Sequence, residues 1–131
     1  CGISSADKPH LDVREYIDNM PTCLAAADLV ICRAGAITLS ELECAGRASI
    51  LIPSPNVAEN HQYHNAMELV NRGAAKILEE KDLSGESLIA AVRSLCSDSE
   101  KLSELGRNAS AMAVCDANDR IVREILRLAG E

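Results

Sequence analysis

The stretch from residue 28 to residue 42 constrains the fold most, because it joins an apolar run, a glycine and a helix start. Residues 28–32 are predicted to form a strand covered on both faces, since the three central residues are apolar. Gly35 would let the backbone turn sharply and let a ligand approach. The following helix has Thr38 as its expected N-cap, with Glu41 three residues later in the spacing of a capping box.

This order of strand, turn and helix predicts where a ligand would bind. Backbone N–H groups at the helix start would point across the carboxyl end of the sheet, where phosphates and nucleotides bind in open α/β folds. The glycine spacings of dinucleotide-binding loops and of P-loops are both missing from the sequence, which argues against those two classes.

The rest of the sequence predicts an α/β fold with a parallel, Rossmann-like sheet. Residues 1–10 are expected to be a loop, and strands are predicted at residues 12–17, 28–32, 49–52 and 74–78. Helices are predicted at residues 22–27 after Pro21, 37–44 ended by Gly46, 61–72 ended by Gly73, 84–95, 98–112, and from Asp116 or Asn118 onward. Because helices and strands alternate, we expect right-handed crossovers and helices on both faces. The last three helices (residues 84–131) would pack over an α/β core of residues 13–80 in a single partial domain.

Charge and composition exclude some partners. The net charge is −7 and aromatic residues make up only 2% of the chain, so a nucleic-acid partner is not expected. The six cysteines form no C-x-x-C pair, which favours buried free thiols over zinc or disulfide frameworks. No apolar run approaches the ~20 residues of a membrane span. The chain opens on Cys1 without an initiator Met, which suggests a piece of a longer protein.

Three predicted loops would meet at the carboxyl edge of the sheet, at residues 16–20, 33–38 and 53–62. Glu41 could hold both hydroxyls of a ribose, or could simply be the acidic partner of a capping box. Arg33 could offset phosphate charge or form a structural ion pair with a nearby carboxylate.

The start of the helix at residue 61 offers polar groups for a sugar. Gln62 beside His61 could bind sugar hydroxyls, because an amide both donates and accepts hydrogen bonds. His61 and His64 could also be a metal pair, but they lack a third ligand nearby, so surface polar roles are favoured. No nucleophile motif and no self-sufficient acid/base pair is present.

Taken together, these loops resemble the MurG family of bacterial GT-B glycosyltransferases. The matching stretches are YIDNM at residues 16–20, AAADLVICRAGAITLSE at 25–41, NHQ at 60–62 and NA at 65–66. That family transfers N-acetylglucosamine from UDP-GlcNAc to the undecaprenyl-diphosphate-linked muramyl-pentapeptide of peptidoglycan synthesis. The resemblance implies most of the C-terminal, donor-binding domain of such an inverting enzyme, truncated at its N-terminal side.

The resemblance also implies roles for particular residues. The uracil would contact the backbone at Ile17 beside Tyr16, and Glu41 would hold the ribose hydroxyls. Further nucleotide and diphosphate contacts would come from the helix start, at Gly35, Ala36, Ile37 and Thr38. His61 and Gln62 would bind the sugar. No catalytic residue, no metal and no cofactor is assigned to this chain, whose substrate would be UDP-GlcNAc.

In the parent enzyme, the lipid-linked acceptor would bind a separate N-terminal domain. That enzyme would lie in the cytoplasm, peripheral at the inner face of the bacterial membrane, and this chain alone would be inactive. Three alternatives stay open at this point: a stand-alone, non-catalytic donor-binding subunit working with a membrane acceptor subunit, another UDP-sugar enzyme of the same fold such as a 2-epimerase or glycolipid synthase, and an interaction domain without a ligand.

Overall fold

The computed structural model describes residues 10–130, which form six α-helices and three β-strands. In chain order these are α1 Met20–Ala26, β1 Leu29–Cys32, α2 Ala36–Ala45, β2 Ala48–Leu51, α3 His61–Asn71, β3 Lys76–Ile77, α4 Gly85–Cys96, α5 Ser99–Met112 and α6 Ala117–Ala129. Short 3₁₀ turns lie at Ala58–Asn60 and Glu80–Asp82. The loop predicted for residues 1–10 lies outside the described residues, apart from His10.

The three strands form one parallel sheet in the order β1, β2, β3, which confirms the predicted parallel α/β architecture. Each strand is followed by a helix, and such a connection returns the chain to the same end of the sheet. Leu29 pairs with Ala48 at one end of β1, and Leu51 pairs with Ile77 across the other interface. The central strand β2 is buried along its whole length.

One strand prediction is wrong and a second holds only in part. Residues 12–17 form no strand, because all but the half-buried Ile17 are exposed and no described segment pairs with them. The prediction that β1 is covered on both faces holds only in part, because Val30 and Cys32 pack on one cluster and Leu29 on the other, whereas Ile31 is 43% exposed. Four predicted strands therefore become three.

Helices cover both faces of the sheet and bury two apolar clusters. One cluster joins Leu51 of β2 to α2 and α3, through Leu42 and Leu69, and also takes in residues of α1 and α5. The other joins Ile50 of β2 to α4 and α5. Adjacent strand residues thus point to opposite faces, as the pleat requires. Helices α1, α2 and α3, which carry or directly follow the predicted site residues, share the first cluster.

The ends of the helices agree with their sequence signals at several positions. Gly46 ends α2 with φ +62° and Gly73 follows α3 with φ +63°, a left-handed conformation that glycine adopts without strain. Ser84 caps α4 by accepting a hydrogen bond from the Ser87 N–H at 3.0 Å. Asp98 caps α5 in the same way, through the Lys101 N–H at 2.9 Å. Within residues 10–130, none of the helices has the length and apolarity needed to cross a bilayer.

The predicted free thiol state is wrong for Cys44 and Cys115, and the predicted burial is wrong for Cys96. Cys44 and Cys115 form a disulfide across 71 residues of sequence, with their Cα atoms 5.9 Å apart. Cys23 and Cys32 are half-buried free thiols, and Cys96 is an exposed one. Sequence spacing did not reveal the pair, because the fold alone brings these two distant positions together.

Candidate functional site at the carboxyl edge of the sheet

The candidate site lies at the carboxyl edge of the sheet, where β1 and β2 lead into α2 and α3. In a parallel sheet with helical connections, each helix begins near the edge at which the preceding strand ends. Helices α2 and α3 both pack on the same face, so the segments preceding them lie side by side. The Asn65 side-chain amide donates to the Ala34 carbonyl at 3.3 Å, which joins α3 to the turn before α2.

The start of α2 presents free backbone donors. The first helical hydrogen bond runs from the Leu39 N–H to the Gly35 carbonyl at 3.0 Å, and no side chain caps the helix. Among residues 10–130, no partner is found for the N–H groups of Ala36, Ile37 and Thr38. Ile37 is also 79% exposed. Unsatisfied N–H groups at the positive end of a helix dipole form a binding site for anions.

Two sequence interpretations of this turn are wrong. Thr38 is not the N-cap, because the extended backbone at Gly35 (φ −73°, ψ 142°) starts the helix earlier. Glu41 therefore has no part in a capping box. The conformation of Gly35 is also open to any residue, and an added Cβ would approach only the Thr38 Oγ1, at 3.9 Å. Gly35 therefore matters at this edge because it has no side chain, not because of its backbone conformation.

Arg33 links the carboxyl ends of all three strands. Its Nη1 donates to the Ile52 carbonyl at 3.3 Å and to the Pro53 carbonyl at 3.4 Å, just after β2. The same guanidinium pairs with the Glu80 carboxylate, just after β3. Of the two interpretations left open by the sequence, the structure shows the ion pair. We call Arg33 and Glu80 with these two carbonyls the rim clasp.

Glu41 lies on the side of α2 that faces α1. Its exposed side chain lines a mostly apolar cavity of about 330 Å³ together with Pro21, Leu24, Ala25, Cys44 and Ala45. Helix α1 precedes β1, and its end lies at the amino edge, where the Arg47 Nη1 donates to the Ala27 carbonyl at 3.2 Å. The carboxylate thus lies between α1 and α2, on the same face of the sheet as α3.

The start of α3 holds the two predicted sugar-binding side chains. Glu59 and Asn60 precede it with φ +52° each, a conformation that costs a non-glycine residue roughly 1–2 kcal/mol. Gln62 accepts a hydrogen bond from the Ser54 N–H at 2.9 Å, so its NH₂ group stays available as a donor. The exposed His61 places its Nδ1 2.9 Å from the Ala58 carbonyl. Because a carbonyl only accepts, Nδ1 must carry the proton, and a neutral ring leaves Nε2 as an acceptor.

The predicted uracil-binding segment lies just before α1. Tyr16 is 77% exposed and Ile17 is half-buried. The hydrogen bonds nearby are local, from Arg14 to Asp12 at 2.9 Å and to the Asn19 side chain at 3.2 Å. The segment leads into α1, whose residues share a cavity with Glu41 of α2, and no described hydrogen bond joins it to the other two loops.

The structure adds residues that the sequence analysis did not assign to the edge. Asn65 and Glu80 hold it together, although each looks like an ordinary exposed polar residue in the sequence. From the sequence, Asn65 is only part of a stretch that resembles the MurG family, without a role at this edge. A second cavity of about 380 Å³, which includes Tyr63 and Lys81 in its wall, lies beside the rim clasp. Within residues 10–130, no group of three or more His, Cys, Asp or Glu side chains could hold a metal ion.

The comparisons with known proteins agree on one family. The model of the glycosyltransferase family 28 C-terminal domain matches residues 3–121. A UDP-N-acetylglucosamine–N-acetylmuramyl-(pentapeptide) pyrophosphoryl-undecaprenol N-acetylglucosamine transferase of Acetivibrio thermocellus is 42% identical over 128 residues, covering 95% of this chain and 35% of the relative. The enzyme of the same name from a Thermoanaerobacter species is 46% identical over 110 residues, covering 84% of this chain and 30% of the relative.

The fold has a solved counterpart. The crystal structure of Acinetobacter baumannii MurG matches with a TM-score of 0.81 and 34% identity, over 88% of this chain and 33% of that one. The chain therefore spans about a third of the length of the proteins it matches. The resemblance inferred from residues 16–66 is thus confirmed by sequence and by structure.

Proposed function

The chain belongs to the family of glycosyltransferase family 28 C-terminal domains, and from that premise we propose that it binds the donor of an N-acetylglucosaminyltransferase. The donor is UDP-GlcNAc, and the acceptor is an undecaprenyl-diphosphate-linked muramyl-pentapeptide bound elsewhere in the parent protein. The relatives' names supply this pair of substrates. The observation in the structure that carries the proposal is the uncapped start of α2, directed at the carboxyl edge.

The free N–H groups of Ala36, Ile37 and Thr38 bind the diphosphate in this proposal. A chain of net charge −7 would repel a diphosphate at long range, so local donors must supply the attraction. Three N–H groups at a helix start provide such donors together with the favourable end of the helix dipole. The missing side chain of Gly35 lets the phosphates come close to the backbone.

The two ends of the donor then have separate contacts. Glu41 accepts hydrogen bonds from the ribose hydroxyls at the cavity between α1 and α2, and the backbone of Ile17 beside Tyr16 binds the uracil. On the other side of the diphosphate, the NH₂ group of Gln62 donates to a hydroxyl of N-acetylglucosamine. The exposed Nε2 of His61 accepts from another.

The domain assists an inverting displacement by stabilising the leaving group. As the acceptor hydroxyl attacks the anomeric carbon, negative charge develops on the departing UDP. The N–H groups of α2 are already oriented toward that charge, which lowers the barrier without a metal or cofactor. The base that deprotonates the acceptor lies outside this chain, and contact with the cytoplasmic membrane surface belongs to the parent protein.

Calorimetric titration of UDP and UDP-GlcNAc into the chain tests the proposal. Glu41→Ala is expected to weaken UDP binding by ~1–3 kcal/mol, through the loss of hydrogen bonds to a charged acceptor. Glu43→Ala, two residues further along the same helix, is the matched control and is expected to leave binding unchanged. With 2′-deoxy-UDP, the Glu41→Ala effect should shrink, because one of the two hydroxyl partners is gone.

Two results would refute this assignment. If UDP gives no heat above dilution and no chemical-shift change in the chain, the donor site is wrong. If Glu41→Ala weakens UDP and 2′-deoxy-UDP equally, the carboxylate does not hold the ribose.

A further inference from the structure

We propose that Cys44 and Cys115 are a reversible redox-modification site, with a small-molecule disulfide such as glutathione disulfide as the oxidant. The bond tethers the segment before α6 to the last turn of α2. This inference does not depend on nucleotide binding, because it concerns only the two thiols and the elements that carry them.

The geometry suits a disulfide. The Cα atoms of Cys44 and Cys115 lie 5.9 Å apart, within the 4.4–6.8 Å range usual for bonded cysteines. Cys44 lies in a rigid helix that packs on the core, while Cys115 lies in the short connection between α5 and α6. Because Cys44 is fixed in the helix and Cys115 lies in a connecting segment, the bond can form and break without a change in the sheet.

Exposure together with pairing separates Cys44 and Cys115 from the other described thiols. Both Cys44 and Cys115 are exposed, so a small oxidant can reach either sulfur. Cys32 is half-buried, and burial raises the pKa of its thiol, which lowers its share of the reactive thiolate. Cys96 is exposed, but it forms no bond to another described cysteine. Accessible cysteines that can pair reversibly are typical of redox-sensing sites.

The bond matters most for α6. All thirteen residues of this helix are exposed and none is buried, so packing holds it weakly. Cys115 lies just before the first residue of α6, Ala117, and the bond therefore fixes the point at which the helix leaves the domain. At its other end the bond holds the helix that carries Glu41, and Cys44 lines the same cavity as that carboxylate.

The chemistry is a thiol–disulfide exchange in two steps. The thiolate of one cysteine attacks a sulfur of glutathione disulfide, which forms a mixed disulfide and releases one glutathione thiolate. The second cysteine thiolate then attacks the protein sulfur of that mixed disulfide, which forms the Cys44–Cys115 bond and releases a second glutathione. The two cysteines lose two electrons and two protons, and glutathione disulfide gains them.

The experiment compares the chain equilibrated with glutathione disulfide and with excess reduced glutathione. Unreacted thiols are labelled with a maleimide, and the cross-linked peptides are identified by mass spectrometry. Thermal unfolding is recorded for the wild type, Cys44→Ser, Cys115→Ser and the control Cys96→Ser. Oxidation should protect only Cys44 and Cys115 from the label.

Reduction should lower the melting temperature of the wild type and of Cys96→Ser by roughly 5–15 °C, because a bond closing a long loop restricts the unfolded chain. Cys44→Ser and Cys115→Ser should show no such redox dependence. The proposal is overturned if both cysteines stay fully labelled at every glutathione ratio, if the cross-link joins other cysteines, or if the wild-type melting temperature is the same in both buffers.

Discussion

Replacing Arg33 with alanine tests whether the rim clasp holds the carboxyl edge together. The substitution removes the ion pair with Glu80 and two hydrogen bonds to carbonyls, those of Ile52 and Pro53. The paired side chains are 50% and 36% exposed, so solvent screening limits the ion pair to about 0.5–1 kcal/mol. The two bonds are long, at 3.3 and 3.4 Å, and each adds roughly 0.5 kcal/mol. The expected loss is about 2 kcal/mol of unfolding free energy.

The measurement is a double-mutant cycle in urea. Unfolding curves for the wild type, Arg33→Ala, Glu80→Ala and the double variant give the coupling energy of the pair, expected at about 0.5–1 kcal/mol. Arg72→Ala is the control, because Arg72 pairs with Glu68 on the surface of α3 with both side chains more than 60% exposed. That substitution should cost no more than about 0.5 kcal/mol.

The alternative role of Arg33 as a phosphate ligand predicts a different pattern. A ligand role would lower the affinity for UDP far more than the affinity for uridine, and it would leave the unfolding free energy almost unchanged. A clasp role lowers the unfolding free energy and affects the two ligands alike, through the shape of the edge. An unchanged urea midpoint in Arg33→Ala, or a coupling energy of zero with Glu80, would refute the reasoning.

Two further predictions concern packing and pH. Gly106→Ala should destabilise the fold by about 1–3 kcal/mol in urea unfolding, because the added Cβ would lie 2.6 Å from the Gly46 carbonyl oxygen. Gly85→Ala is the control and should not destabilise the fold, because the space around Gly85 is open. Equal urea midpoints for the two variants would contradict the close contact between α5 and the end of α2. Burial raises the pKa of Glu43 above its ordinary 4.5, and Arg72 only partly offsets this. Folding therefore favours the protonated carboxyl of Glu43. Its contribution to the unfolding free energy is present below pH 4.5 and is lost as the pH rises through the folded-state pKa. Glu43→Gln should consequently unfold at slightly higher urea than the wild type at pH 7, with the difference vanishing near pH 4, and a less stable variant at pH 7 would reverse the sign.

The parallel sheet could be predicted because local signals and tertiary structure agree there. The apolar runs of β1 and β2 are short, and glycines stop the helices that follow or precede the strands. Gly46 and Gly73 adopt the left-handed conformation that such stops require. The boundaries of α4 and α5 follow from Ser84 and Asp98, whose side chains do cap their helices.

The failures occur where two local signals compete or where only the fold decides. Thr38 and Glu41 have the spacing of a capping box, but the N-cap of α2 is Gly35, three residues before Thr38. Residues 12–17 alternate weakly between apolar and polar, yet a strand needs a neighbour, and none pairs with them among residues 10–130. Cys44 and Cys115 meet across 71 residues of sequence, which no local pattern encodes.

The candidate site shows the same division between local and tertiary information. The sequence predicted a strand, a turn and a helix start at residues 28–42, but it placed the N-cap at Thr38, whereas the structure leaves the start of α2 at Gly35 without a capping side chain. The rim clasp could not be predicted, because Arg33 and Glu80 are separated by 47 positions and meet only through the order of the strands. Asn65 likewise reaches the Ala34 carbonyl only because α2 and α3 share one face.

In β1 the apolar run of the sequence and the packing of the described residues disagree at one position, Ile31. The run predicts cover on both faces, whereas Ile31 is 43% exposed at the edge of the described sheet. The exposed part of the Ile31 side chain gains no stabilisation from the hydrophobic effect, so the described contacts do not explain a large apolar residue at this position. The apolar signal of β1 is therefore matched by packing at Leu29, Val30 and Cys32 but not at Ile31, although all four lie in the strand that leads to Arg33 and the start of α2.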